Sequence, residues 1–104
     1  MNKWHKNLTL KKWARFDCSK QTLMIASELA RAEHWLRKND LESAKKCLER
    51  AFELIDMTVA DGKWQGKRGN LLRFRESLGH SYLYGSDPNT CRIFYDWLVN
   101  FAKG

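Results

Sequence analysis

Between Asn39 and Gly62, apolar residues recur at Leu41, Ala44, Leu48, Ala51, Ile55 and Val59, in steps of three and four. That spacing draws a single stripe along a helix of 3.6 residues per turn. A strand would need steps of two, so a sheet is excluded here. Cys47, Phe52 and Leu54 widen the stripe. Asn39, with Glu42 three residues on, reads as a capping-box start, in which the Asn side chain accepts a first-turn N–H and the Glu reaches back. Gly62 follows the last turn, where a left-handed residue commonly stops a helix. A helix of roughly five turns with so broad an apolar face must bury it against other elements.

The neighbours are legible by the same rule. Ile25, Leu29, Ala32 and Leu36 step by four, three and four, and Asp17 or Ser19 can cap their helix. The link through Lys38 to Asp40 is short, which predicts an antiparallel hairpin. The three glycines of DGKWQGKRGN, residues 61–70, read as a loop. Asn70 is the expected cap of a third helix carrying Leu71, Phe74, Leu78 and Tyr82, with Gly79 ending or bending it. Asp87 and Pro88 open a fourth, with Pro at the position where its missing N–H costs nothing; its stripe is Cys91, Phe94, Leu98 and Phe101. Leu10 to Phe16 adds a turn or two. The expectation is an all-α antiparallel bundle of four main helices with a short extra N-terminal helix, in one domain of 104 residues.

Composition adds a charge argument. The net charge is +7, a balance that favours polyanions or acidic proteins as partners. Residues 1–20 sum to +5 and residues 60–75 to +4, while 21–59 and 76–104 each sum to −1. Aromatic rings lie among both sets of bases. Lysines that meet phosphates beside rings that stack on bases suit single-stranded nucleic acid. The candidates for such contacts are Lys11, Lys12, Arg15, Lys63, Trp64, Lys67 and Arg68. The blander alternative is a solvated basic surface whose tryptophans pack back on the bundle.

Other chemistry is thinly represented. GKWQGKR, residues 62–68, fails as a phosphate loop: three residues separate Gly62 from Gly66 instead of four, Arg68 stands where Ser or Thr should hold magnesium, and no strand precedes it. His5, His34 and His80 are far apart and no pair has ligand spacing, so neither metal nor cofactor is expected. Cys47 and Cys91 fall on apolar stripes and read as core residues, and Cys18 lies near a helix start. Three cysteines without a CxxC suggest free thiols in a reducing cytoplasm. The lysine-containing N-terminus lacks an apolar run and does not read as a signal peptide, and no membrane span is expected. Glu28, Arg31, Arg50, Glu53 and Asp56 lie beside the stripes, where pairing between helices can fix register.

Two resemblances bear on function. Arg75 and His80 in RFRESLGH form an RxxxxH pattern that resembles the signature of the HEPN ribonucleases, themselves helical bundles; the resemblance implies that both residues flank an RNA phosphate, usually across a dimer. On a straight helix, however, five positions turn about 140° away from one face. The alternative is that Arg75 pairs with a carboxylate and His80 is exposed. Residues 22–56, with TLM at the start, the Asn39-Asp40 turn, Arg50-Ala51 and Leu54-Ile55, resemble the central hairpin of the flagellar export chaperone family (FliS), and LYG at 83–85 follows in order. That resemblance implies a bundle that shields a partner's helices without catalysis. The basic N-terminal arm and the glycine-containing 62–69 segment depart from that pattern. The leading expectation is therefore a non-enzymatic module that binds another protein or a second copy of itself, with Trp13, Trp35, Trp64 and Trp97 as candidate interface rings. RNA binding, with or without cleavage by Arg75 and His80, is the alternative.

Overall fold

The computed structural model describes residues 7–103. Five α-helices follow in order, α1 (Leu10–Ala14), α2 (Cys18–Arg37), α3 (Leu41–Val59), α4 (Arg68–Tyr84) and α5 (Pro88–Lys103), with a 3₁₀ helix over Gly62–Lys67 between α3 and α4. No strand occurs among the described residues, so the all-α expectation holds. Trp4 and His5, with Lys3 and Lys6 of the basic arm, lie outside the described residues.

Local chemistry sets each boundary. Asp17 accepts from the Lys20 N–H at 2.8 Å and starts α2. At the hairpin the cap is Asp40, not Asn39: its Oδ1 accepts from the Ser43 N–H at 3.0 Å. Asn39 instead sits at φ 60°, the left-handed conformation that Asn tolerates better than most residues, and so turns the chain between α2 and α3. Asp87 caps α5 through the Thr90 N–H at 2.8 Å, just before Pro88. Two expectations fail in α4. It begins at Arg68, continuing directly from the 3₁₀ helix, so Asn70 is no cap and accepts instead from Arg73 at 3.2 Å. It also runs through Gly79 without a break, because tertiary packing on both sides outweighs a cost of about 1 kcal/mol for one interior glycine.

Helix α2 is the axis of the bundle, packed along its length against α3 on one side and α5 on the other. Small residues make this close approach possible: Ala26, Ala32, Ala44 and Ala51 are all buried at the seams. Helix α4 packs on α3 through a mixed interface. Phe52 meets Tyr82 edge to face at 5.7 Å, Tyr82 Oη donates to Glu49 at 2.7 Å, and Arg75 lies over Phe52 while bonding Asp56. Helices α4 and α5 scarcely approach backbone to backbone and meet through rings instead. The bundle thus has two closely packed seams along α2, a looser one between α3 and α4, and a wide one between α4 and α5.

Of the charges expected to fix register between helices, Asp56 does so with Arg75. Glu28 does not: it pairs within α2 with Arg31 at 2.6 Å, and its buried Oε2 has no hydrogen-bond partner. Cys47 and Cys91 are buried as expected. Burial, and then the charge of Glu28, pushes the Cys47 thiol up. Burial, followed by Glu33 and Asp87, pushes Cys91 up to about 11. Because the thiolate is the reacting species, a disulfide-exchange reagent at about pH 8 should titrate Cys18, the partly exposed thiol, quickly in the native protein and the other two only on unfolding. Three thiols reacting at a single rate would contradict this packing.

Candidate functional site

The two basic segments meet at one end of the bundle, and the contact that joins them is a lysine. Lys63 Nζ donates to the carbonyls of Ala14 and Phe16, each at 2.9 Å, and to Asp61 Oδ2 at 2.6 Å. Its ammonium therefore caps the end of α1, although the residue stays exposed. Behind it lies Gln21, fully buried, with both ends of its amide engaged. Its Nε2 donates to the Trp13 carbonyl at 2.8 Å and to Asp61 Oδ2 at 3.0 Å, and its Oε1 accepts from Trp64 Nε1 at 2.5 Å. The Trp13 indole donates to Thr58 at 3.0 Å, and Thr58 donates on to the Leu54 carbonyl at 2.7 Å. Burial pushes the Asp61 carboxyl upward, but hydrogen bonds from Gln21 and Lys63 outweigh it and hold the group below the usual carboxylate range. Asp61 therefore adds stability above about pH 4 that is lost as pH falls through the lowered value.

This network withdraws several candidates from binding. Trp13 is 0% exposed and Trp64 3%, so neither is an interface ring and Trp64 cannot stack on a nucleobase. Both indole N–H groups find partners inside the bundle, which is what lets such large rings be buried. Arg68 Nε donates to the Val59 carbonyl at 3.0 Å, closing the end of α3. Lys11, Lys12, Arg15 and Lys67 are exposed, as expected of solvated bases. Lys12 Nζ donates to the Asn7 carbonyl, and Lys67 sits over the Phe101 ring at 5.2 Å. Arg75 and His80 have different partners within the chain. Arg75 bonds Asp56 through Nε at 2.6 Å and through a terminal nitrogen at 3.3 Å, which raises its pKa further, while His80 is exposed and leans on Tyr84 at 4.7 Å. No cluster of potential metal ligands occurs among the described residues.

The surface that stands out is the wide seam. A ladder of rings closes it: Trp64 stacks on Phe101 at 5.6 Å, Phe101 on Trp97 at 4.7 Å and Trp97 on Phe74 at 5.0 Å, and Phe74 meets Phe94 edge to face at 5.4 Å. Each such pair contributes about 0.5–1.5 kcal/mol beyond burial, and two of them, Phe74 with Trp97 and Phe74 with Phe94, join α4 to α5. Outside the ladder a groove of about 350 Å³ remains, floored by Phe74, Ile93, Phe94 and Trp97 and rimmed on the α4 side by Asn70, Arg73 and Ser77. Ile93 is 67% exposed and Trp97 38%. Of the four tryptophans proposed as interface rings, Trp97 alone is presented in this way; Trp35 is half-buried, edge-on to His34 at 5.0 Å. A smaller groove of about 300 Å³ lies at the other end of the bundle, between Leu36, Leu41, Leu48 and Leu83.

Sequence reasoning missed Gln21 and Ile93, although both left signals. Gln21 precedes Ile25 and Leu29 by four and eight residues, a polar residue on a buried stripe. Ile93 and Trp97 fall one residue before Phe94 and Leu98, giving α5 an apolar face wider than one neighbour can cover.

Gln21→Leu leaves the Trp64 indole N–H unpaired inside the bundle, while the Trp13 carbonyl keeps the Phe16 N–H at 3.1 Å and Asp61 keeps Lys63. With one such group stranded, denaturant unfolding should show a loss of about 1–3 kcal/mol. A loss under about 0.5 kcal/mol, the range of an ordinary surface change, would mean the network contributes nothing.

Compared with protein-family models, curated proteins and solved structures, the chain matches none.

Proposed function

We propose that the protein is a non-enzymatic helical-bundle module that binds another protein, and that it holds a helix of that partner in the α4–α5 seam. One observation carries this reading: the seam is bridged by rings and leaves Ile93 and Trp97 exposed beside a groove that the described residues do not fill. An apolar groove between two helices suits an amphipathic helix, whose residues at i, i+3 or i+4, and i+7 drop into it. Aromatic anchors in such grooves carry a large share of binding energy. Three free thiols fit a reducing compartment, and a cytoplasmic location belongs to the same proposal. Among the described residues no helix is long and apolar enough to cross a membrane.

Polyanion binding is supported by a separate observation, the convergence of both basic segments at the α1 end of the bundle. Lys11, Arg15 and Lys67 supply its exposed charge, since Lys63 and Arg68 are held by backbone carbonyls.

Ile93→Glu tests the first reading without disturbing the core. Because the side chain is exposed, stability should stay within about 0.5 kcal/mol of wild type. Binding of an amphipathic helical peptide, followed by calorimetry, should weaken at least about tenfold, or 1.4 kcal/mol. Unchanged affinity would remove the groove as the site. For the second reading, anisotropy of a labelled single-stranded RNA should fall steeply with salt, and the Lys11→Glu, Arg15→Glu double variant should flatten that slope by about two phosphate contacts. An unchanged slope would leave that charge as solvation.

A further inference from the structure

The seam's charge pattern says what kind of helix it takes. Along α4, its edge runs through Asn70, Arg73, Ser77 and His80, in steps of three, four and three. Along α5, the matching edge is Thr90, Ile93, Trp97 and Asn100, with the same steps. Neither edge carries a carboxylate. Arg73 is exposed, is the one charged residue lining the groove among the described residues, and donates to a neutral partner, Asn70. Lys67 extends the positive side toward the Phe101 end. Of the nearby acids, Asp96 pairs with Arg92 at 3.3 Å and Asp56 with Arg75, while Glu76, about 60° around α4 from Arg73, does not line the groove. The first turn of α4 contains no acid.

We infer that the α4–α5 groove takes an acidic amphipathic helix, with its apolar stripe on Phe74, Ile93, Phe94 and Trp97 and its flanking carboxylates toward Arg73 and Lys67. This rests on the protein-binding reading above and adds the chemistry of the partner. A basic helix would desolvate Arg73 without pairing it. A second copy of the chain is disfavoured for the same reason. In a twofold dimer across this groove the surface meets itself, so Arg73 faces an edge with no carboxylate, and each chain brings a net charge of +7.

Two synthetic amphipathic peptides of about 20 residues, about 30 Å as helices, provide the probe. They share one Leu/Ile stripe and differ only in carrying Glu or Lys at the flanking positions. Each is titrated into the full chain at about 0.1 M and about 1 M salt, where the screening length falls from about 10 Å to about 3 Å. The Glu peptide should bind at least tenfold more tightly than the Lys peptide at the lower salt, and most of that preference should vanish at the higher. Arg73→Glu should cancel or reverse it, and Ile93→Glu should weaken both peptides. Equal affinity for the two peptides, or tighter binding of the Lys peptide, overturns the acidic assignment while leaving the groove as a docking site. A Glu-peptide affinity that survives Ile93→Glu places the peptide on the basic end and overturns both. Binding of neither peptide, with the chain dimeric by sedimentation and made monomeric by Ile93→Glu, assigns the groove to a second copy and overturns the acidic helix.

Discussion

One buried amide decides how this chain closes. Gln21 sits where a core stripe would place an aliphatic residue, and it joins four segments at once: the end of α1 through the Trp13 carbonyl, α2 on which it resides, the Asp61 turn after α3, and the 3₁₀ helix through the Trp64 indole. A buried amide left unpaired costs about 1–3 kcal/mol, so the site is stable only with its bonds made, and making them fixes where the N-terminal helix and the 3₁₀ helix must lie. Lys63 reinforces the same corner from outside, with Asp61 shared between the two side chains. Of the seven residues considered for RNA contact, Lys63, Trp64 and Arg68 are bonded within the fold, while Lys11, Lys12, Arg15 and Lys67 stay exposed.

Closing that corner has a consequence at the opposite wall. Trp64 is anchored by Gln21, and its ring is the first rung of the ladder that runs through Phe101, Trp97 and Phe74. Packing on α2 positions α5, and rings fill the space that is left between α5 and α4. Where alanines line the α2 seams, backbones come close; where rings line the α4–α5 seam, they stay apart and a groove is left. The groove and the buried corner are thus two ends of one connected set of contacts, which makes it a built feature and not a packing accident.

Much of this was legible beforehand, and the failures have physical reasons. Helical periodicity placed α2, α3, α4 and α5 because each carries an apolar stripe at steps of three and four. The caps were read less well. Asn39 and Asp40 are both competent caps, and only the left-handed φ of Asn39 separates their roles. The 62–69 segment was read as a basic loop because glycines dominate it, yet Trp64 and Lys63 find partners 43 to 49 residues away in sequence, a distance that no local pattern encodes. Arg75 was legible as a salt-bridge residue, and Asp56 supplies the carboxylate. Trp13 and Trp97 look alike in sequence, each beside charged residues. Only the fold shows that one donates its indole proton to Thr58 in the core while the other lies at the rim of a groove.

That division of the tryptophans is the central claim, and hydrogen exchange of the indole N–H groups, followed by nitrogen-15 NMR on the intact chain, tests it most directly. The indole protons of Trp13 and Trp64 should exchange only through global or near-global unfolding, because each is buried in a hydrogen bond to a side chain of another helix. The Trp97 indole should exchange orders of magnitude faster, as a ring at the edge of an open groove must. Exchange of Trp64 as fast as that of Trp97 would mean that the Gln21 corner is not closed, and the groove built upon it would fall with it.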